Sequence, residues 1–452
     1  MALSGLDIFK KLPKTNCGDC GVPTCLAFAM KLAASQAELT ACPHVSEEAA
    51  AELSDASAPP IRGVTVGVGE RAFKVGEETV LYRHDRTFVN PTAFGVLVDA
   101  ASPDEEIEAR VREADSLGFE RVQQHLSVSC LVVRSSGEAA RFREVVSRVS
   151  SLTDLPLVLS AEAAAEMEAA LSEAAASRPL LHGATAESLD AMAELAKRHE
   201  CPLALRGTGD LASLAATAER AAEAGCKDLV LDPGSATAAD GLRDLVFIRR
   251  SALERKFRAL GYPVITFPAL HSGGDPMLEA MYAATHVAKY AGIVVLSGAE
   301  PWRMLPLLVL RQNLYTDPQR PMQVEQRVYD IGSPDADAPL LVTTNFSLSY
   351  FIVSSEVEAS GIPAHLGVVD AEGLSVLTAW AAGKFVPDSI AAFLKGSDVT
   401  DRLSHRRVII PGLVAQISGE LAECLGDSWE VTVGPAEAAD IPAFLRQLQT
   451  TA

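Results

Sequence analysis

From residue 64 to residue 298, short apolar runs alternate with amphipathic stretches, and that rhythm leaves few folds open. The runs are VTVGVG (64–69), FGVLVDA (94–100), RVQQHLSV (121–128), LPLVLS (155–160), PLLHGAT (179–185), PLALRG (202–207), DLVLDPG (228–234), PVITFP (263–268) and IVVLSG (293–298). Between them lie segments such as DEEIEARVREADSLG (104–118), with apolar residues at helical spacing. Strands rich in Val, Ile and Leu that alternate with helices belong to a parallel sheet covered on both faces. Eight or nine such units in about 260 residues predict a (β/α)8 TIM-type barrel. His182, Asp232 and Pro268 then stand at strand ends, on the loop face.

A second alternating region follows the Pro/Asp/Gly-rich stretch YDIGSPDADAPL (329–340), which reads as a linker. It contains LLVTTN (340–345), a helix from about Leu348 to Ala359, HLGVVD (365–370), a helix over LSVLTAWAAG (374–383), VIIPG (408–412), a helix over QISGELAECL (416–425) and WEVTVGP (429–435). Four strand–helix units predict a small doubly wound, Rossmann-like domain, whose ligand binds beyond the carboxyl ends of the strands. At the other end, residues 1–58 hold four cysteines and an alanine-rich helical run, and close on the linker-like SDASAPP (54–60). The expected organisation is therefore 1–58, 59–328 and 329–452.

Charge narrows the function. The chain has 452 residues with 39 Lys plus Arg against 59 Asp plus Glu, a net charge of −20. Such a field repels nucleic-acid backbones and anionic membranes. Asp7, Lys10 and Lys11 interrupt the N-terminus, so it offers no secretory apolar core, and no run of 18 apolar residues follows. The expectation is a cytoplasmic protein with reduced thiols, where clustered cysteines hold metal.

Cys17, Cys20, Cys25 and Cys42 follow the pattern C-x2-C-x4-C-x16-C, with Pro43 after the last. Three close thiolates and a remote fourth suit the corners of a [4Fe-4S] cluster. Gly18 and Gly21 permit the tight turns, and a helix over about Leu26 to Leu39 would bring Cys42 back. A zinc ribbon, the structural alternative, has two C-x2-C pairs, and this chain has one. Cys130, Cys201, Cys226 and Cys424 stand alone in apolar or helical contexts and read as core residues. A cluster held by four cysteines moves electrons and does no substrate chemistry.

Two other features have bland readings. HSGGDP (271–276) lacks the Lys/Ser pair of a phosphate loop and reads as a barrel loop with a helix starting at Pro276. His182 and His286 read as structural residues.

CGDCGVPTC (17–25), the barrel, VTTNFSLSYF (342–351) and GVVDAEGLSVLTAWAAGK (367–384) together resemble the large (gamma) subunit of the corrinoid iron–sulfur protein family of the acetyl-CoA pathway. The resemblance implies a B12-type corrinoid in the C-terminal domain, at its interface with a barrel-shaped small subunit in a heterodimer. It implies a corrinoid-dependent methyltransferase subunit whose cobalt(I), the nucleophile in place of any catalytic side chain, takes a methyl group from methyltetrahydrofolate or another methyl-pterin through a separate methyltransferase. The methyl group then passes to acetyl-CoA synthase, and the cluster re-reduces cobalt that has fallen to cobalt(II). The family's middle domain belongs with pterin-binding barrels and is assigned a scaffolding role.

Many corrinoid domains present a D-x-H-x-x-G loop whose His binds cobalt. The corresponding turn here, Asp370-Ala371-Glu372-Gly373, has no His, and His365 is expected before the strand and away from the ligand. The implied corrinoid is therefore base-off, without a protein His ligand and easier to reduce. Its expected contacts are Thr343, Thr344 and Asn345, then Asp370, Glu372, Gly373, Leu374, Ser375 and Val376, then Pro411 and Gly412, and finally Gly434, Pro435 and Ala436. The competing readings are an iron–sulfur electron-transfer module without cobalt, and a barrel that is itself a pterin methyltransferase using Asp99 and Asp232.

Overall fold

The computed structural model describes residues 5–33, 37, 39–46, 49, 59–122, 124–318 and 321–451. The chain divides into two compact units, Met1–Gly118 with Ser127–Tyr315, and Phe119–Leu126 with Thr316–Ala452. Among the described residues, no helix is long and apolar enough to cross a membrane.

In the first unit, strands β1 (Val64–Val66) and β2 (Phe73–Val75) form an antiparallel hairpin, followed by β3 (Ala93–Asp99). Next come β4 (Gly118–Arg121) and β5 (Gln124–Ser127), whose residues 119–126 count with the second unit. After them run β6 (Cys130–Arg134), β7 (Leu157–Ser160), β8 (Leu180–Ala184), β9 (Leu203–Arg206), β10 (Leu229–Asp232), β11 (Ile265–Thr266) and β12 (Ile293–Leu296). Eight of these make one parallel sheet in the order β10-β9-β8-β7-β6-β3-β12-β11. A parallel bridge from Leu231 to Val264 joins its two ends and closes the barrel.

The predicted helix after β3 is present at Asp104–Ser116. Asp104, Glu105 and Glu106 complement the positive end of its dipole, and Ile107, Val111 and Ala114 form its buried stripe. Asp275 caps the helix that starts at Pro276, as the loop reading of HSGGDP requires.

Two expected barrel strands are corrected. Residues 64–69 supply only the short β1, and its hairpin packs Val64, Val66 and Val75 into the barrel interior beside Val132, Val158, Leu180 and Val230. The stretch 121–128 belongs to the β4–β5 hairpin, and the barrel strand is the unlisted CLVVR of β6. The first four residues of β6 are buried, whereas β4 and β5 are largely exposed, as a strand covered on both faces and a surface hairpin should differ.

The second unit holds β13 (Arg327–Ile331), β14 (Leu340–Thr344), β15 (Ala364–Val369), β16 (Arg407–Ile410) and β17 (Glu430–Val433). Their order is β13-β15-β14-β16-β17, with β13 antiparallel to β15 and the other pairs parallel. The stretch read as a linker from residue 329 thus begins inside an edge strand. Helices cover both faces of the sheet. Leu340, Val342, Val408 and Ile410 pack with residues of helices 376–381, 387–396 and 418–425; Leu341, Leu366, Val368 and Ile409 pack with those of helices 347–360 and 441–451. Alternate residues of one strand therefore feed two cores. From β14 the chain steps outward to β15 and then back across to β16, so a topological switch point lies between β14 and β16.

The N-terminal segment forms helices Gly5–Lys11 and Cys25–Ala33. The helix expected to run to Leu39 is described as far as Ala33, and Leu39–Ala41 form a separate 3-10 turn; residues 34–36 and 38 and the first part of SDASAPP lie outside the described residues.

Candidate functional site

Three of the four clustered cysteines pack in one small core. Cys25 opens its helix, and together with Cys42 it is buried among Ile8, Leu12, Val22, Phe28 and Ala29, with Cys20 packed against the same group. Cys17 is exposed. The loop between Cys17 and Cys25 is wound by Gly18 (φ 80°) and Gly21 (φ 77°), with the Gly21 N–H donating to Gly18 O at 2.9 Å. Asn16 fixes its far end, accepting the Cys25 N–H on Oδ1 at 2.8 Å.

Among the described residues, Cys17, Asp19 and His44 are the one group whose candidate ligand atoms lie within 4.8 Å of one another. The four thiols, all among the described residues, are not gathered within that distance of one another. His44 Nε2 meets Asp19 Oδ2 at 2.7 Å and, with Cys17, holds that carboxyl below its ordinary range.

At the switch point of the second sheet lies a groove of about 270 Å3. Thr343, Ser375, Val376, Pro411, Gly434, Pro435 and Ala436 line it, so half of the expected contact set meets in one place. Gly412 lies behind this surface. A side chain there would start 2.6 Å from Gly434 O, so glycine lets the turns after β16 and β17 touch. Leu374 packs against the core beneath. Glu372 points outward and pairs with Lys384 at 2.6 Å.

Asn345, Asp370 and Gly373 form a network of their own. Asn345 Oδ1 accepts from Ala371 N at 2.9 Å and from Gly373 N at 3.0 Å, while its Nδ2 donates to Asp370 Oδ1 at 2.9 Å. These residues shape the turn and are absent from the groove lining.

Thr343 and Thr344 carry buried hydroxyl oxygens with no hydrogen-bond partner. An unpaired buried polar group costs about 1–3 kcal/mol, so the Thr343 hydroxyl, which lines the groove, suits a site that a polar ligand completes; Thr344, on the other face of the strand, is absent from the lining. The rest of the groove is apolar and escaped the sequence reading. Leu348, Ile352, Leu377 and Leu413 line it while remaining 43–55% exposed. The available signal was Leu348 and Ile352 four residues apart on a helix whose inner stripe lies elsewhere.

Among the described residues, none that lines the groove is a histidine. His365 lies within β15, not before it. It is buried near the amino end of the strand, with Nδ1 2.7 Å from Asp330 Oδ1.

At the barrel's loop face, His182 bridges Ser160 Oγ (2.8 Å from Nδ1) and Asp232 Oδ2 (3.0 Å from Nε2), and Asp232 Oδ1 accepts the Gly234 N–H. Asp99 pairs with Arg134. Both carboxylates singled out for pterin chemistry therefore have protein partners. His286 is buried against Thr266, and burial pushes its pKa down to about 4.

Comparison with known proteins follows these divisions. The family model described as CO dehydrogenase/acetyl-CoA synthase delta subunit matches residues 63–445, and an Fe-S cluster model matches residues 12–44. The chain is 44% identical over 447 residues to the corrinoid/iron-sulfur protein large subunit of Moorella thermoacetica, with 99% of each chain covered. It is 36% identical over 458 residues to the acetyl-CoA decarbonylase/synthase complex subunit gamma of Methanothermobacter thermautotrophicus, again with 99% of each covered. Among solved structures, dihydropteroate synthase from Xanthomonas albilineans in complex with 7,8-dihydropteroate matches 50% of this chain and 94% of its own, at 17% identity and a TM-score of 0.36, which is too low to carry an argument. The chain belongs to the CO dehydrogenase/acetyl-CoA synthase delta-subunit family, in which its full-length relatives are the large subunit of a corrinoid/iron-sulfur protein and the gamma subunits of acetyl-CoA decarbonylase/synthase.

Proposed function

We propose that this chain is the large subunit of a methyl carrier of the acetyl-CoA pathway, with a [4Fe-4S] cluster on Cys17, Cys20, Cys25 and Cys42 and a corrinoid in the groove beyond β14 and β16. Bound there, the corrinoid supplies a cobalt that accepts and releases a methyl group, and the cluster supplies the single electrons that restore it to the reactive state. In this reading residues 1–58 carry electrons, 59–328 are scaffold and 329–452 hold the corrinoid. The subunit pairs with a small subunit in the cytoplasm, receives methyl groups from methyltetrahydrofolate through a methyltransferase and delivers them to acetyl-CoA synthase.

One observation carries the proposal: an apolar groove at the switch point whose floor includes the unpaired buried hydroxyl of Thr343. A corrin ring is a flat apolar macrocycle edged with amides, and the chain's own groups divide the work of holding it. Leu348, Ile352, Leu377 and Leu413 keep water from the ring. Thr343 and Ser375 offer hydroxyls to its edge, and Gly434 and Pro435 keep one wall flat. Among the described residues no histidine lines the groove, so the side chains there would offer a corrinoid metal no imidazole, which would ease its reduction.

The test is anaerobic co-purification with the small subunit, followed by an absorption spectrum and metal analysis. The proposal expects corrinoid bands and iron to cobalt at about four to one. An intact heterodimer with iron and no cobalt would leave the electron-transfer module as the better reading.

A further inference from the structure

Asn345 was expected to touch the ligand, but its surroundings give it a different task. Its side chain is 3% exposed and makes four hydrogen bonds, as many as a primary amide ordinarily forms. Oδ1 accepts from Ala371 N and Gly373 N; Nδ2 donates to Asp370 Oδ1 and, at 3.2 Å, to Gln323 Oε1. Its backbone adds two more, donating to Val369 O at 2.8 Å and accepting from Val324 N at 2.9 Å. One residue thus ties the end of β14 to the end of β15 and to the strand-like segment at 323–324.

The turn held this way resists forming by itself. Glu372 and Gly373 are consecutive residues with positive φ, 55° and 73°, and Glu372 gains nothing from that conformation as glycine would. Gly373 also lies so close to Gln323 that a Cβ there would approach its Cγ to 2.8 Å. Two N–H groups of the strained turn end on the one Asn345 oxygen, and Asp370 Oδ1 takes the Glu372 N–H at 2.9 Å. The turn leads directly into Ser375, Val376 and Leu377, which form one wall of the groove.

We propose that Asn345 is a positioning residue: it fixes the 370–373 turn and, through it, the groove wall at 375–377, without touching the ligand. This rests on the corrinoid reading above for the ligand's identity. In Asn345→Asp the two Nδ2–H donors are lost and a second carboxylate faces Asp370. Exchanging the two residues would not restore the turn, because the one Asp370 Oδ1 accepts from both Asn345 Nδ2 and Glu372 N, and a single amide atom cannot donate to the first and accept from the second. Asp370→Asn alone keeps a carbonyl acceptor for both and changes little.

The experiment uses the heterodimer freed of corrinoid, with cyanocobinamide, a corrinoid without a lower base, as the titrated probe. Amide hydrogen exchange over 370–377 and thermal unfolding are followed in parallel. Asn345→Asp should weaken cobinamide binding at least tenfold and speed exchange at 371 and 373, with global unfolding shifted little. Asp370→Asn, which keeps the acceptor, should stay within about threefold of the parent in both. Binding by Asn345→Asp equal to the parent, or unchanged exchange at 371 and 373, overturns the proposal. If the parent heterodimer itself binds no cobinamide, the corrinoid reading fails, and the exchange data still decide whether Asn345 holds the turn.

Discussion

His286 shows how one buried side chain converts position into a measurable property. It lies in the barrel wall with Nδ1 3.1 Å from Thr266 Oγ1, and burial first, then nearby His271, lowers its pKa from 6.5 to about 4. Unfolded chain binds the proton near pH 6.5, but folded chain refuses it until about pH 4. Above pH 6.5 the residue is neutral in both states and costs nothing; as pH drops through that window folding loses stability, and the loss reaches about 3 kcal/mol at its lower end. His286→Gln should flatten the acid limb of the thermal-unfolding profile between pH 6.5 and 4, and an unchanged limb would refute this account of the residue. The burial of such residues is only half legible in a sequence. A lone His on a helix reads as structural, and that is what His286 is, but no local pattern announces Thr266 as its partner. The cysteines lie at the other extreme. Their spacing alone proposes a ligand set, with a tight loop from Cys17 to Cys25 and Cys42 returning from farther along the chain. Asn345 lies between these cases: its place at a strand end was legible, but the four partners that occupy its amide come from two segments, at 323 and at 370–373, brought to it only by folding.

At the scale of elements, periodicity discloses what exists better than where it goes. The run at 64–69 has the composition of a buried strand because Val64 and Val66 are buried inside the barrel, but they enter as a hairpin and not as a stave. Sequence pattern reports burial and is silent on pairing partner. The same limit hid β13, whose edge position leaves Arg327 and Asp330 exposed and makes it resemble a linker. Strand ends of the C-terminal sheet were legible because a doubly wound order sends its loops to one edge, and Gly and Pro mark those loops. Gly412 is the sharpest case. Its substitution by Ala would place a Cβ 2.6 Å from Gly434 O, 2.7 Å from Ala436 N and 2.8 Å from Pro435 C, all backbone atoms with no rotamer to yield. Gly412→Ala should cost about 1–3 kcal/mol in the stability of the C-terminal unit. Corrinoid affinity should fall at least tenfold as the two turns separate, while iron content stays constant. Equal affinity in an equilibrium titration would show that the turns after β16 and β17 are not groove walls in solution.

The proposed function has two sites far apart in sequence: a cluster on the N-terminal thiols and a corrinoid in the C-terminal groove. It asks no chemistry of the barrel between them, whose loop-face carboxylates Asp99 and Asp232 are engaged by Arg134 and by His182 with Gly234. Composition and spacing suggested that division of labour. The grouping of residues 119–126 with the C-terminal unit was not, because that association is non-local. In the proposed function the cluster returns the groove's metal to its reactive state, and the rate at which the cobalt(II) electron paramagnetic resonance signal disappears under a low-potential reductant reads this step. It would be taken in the heterodimer with the parent chain and with Cys20→Ala/Cys25→Ala. The account predicts equal corrinoid content in the two, rapid loss of the signal in the parent, and loss at least a hundredfold slower in the variant. A variant that retains its corrinoid, lacks the cluster and is re-reduced at the parental rate would contradict it.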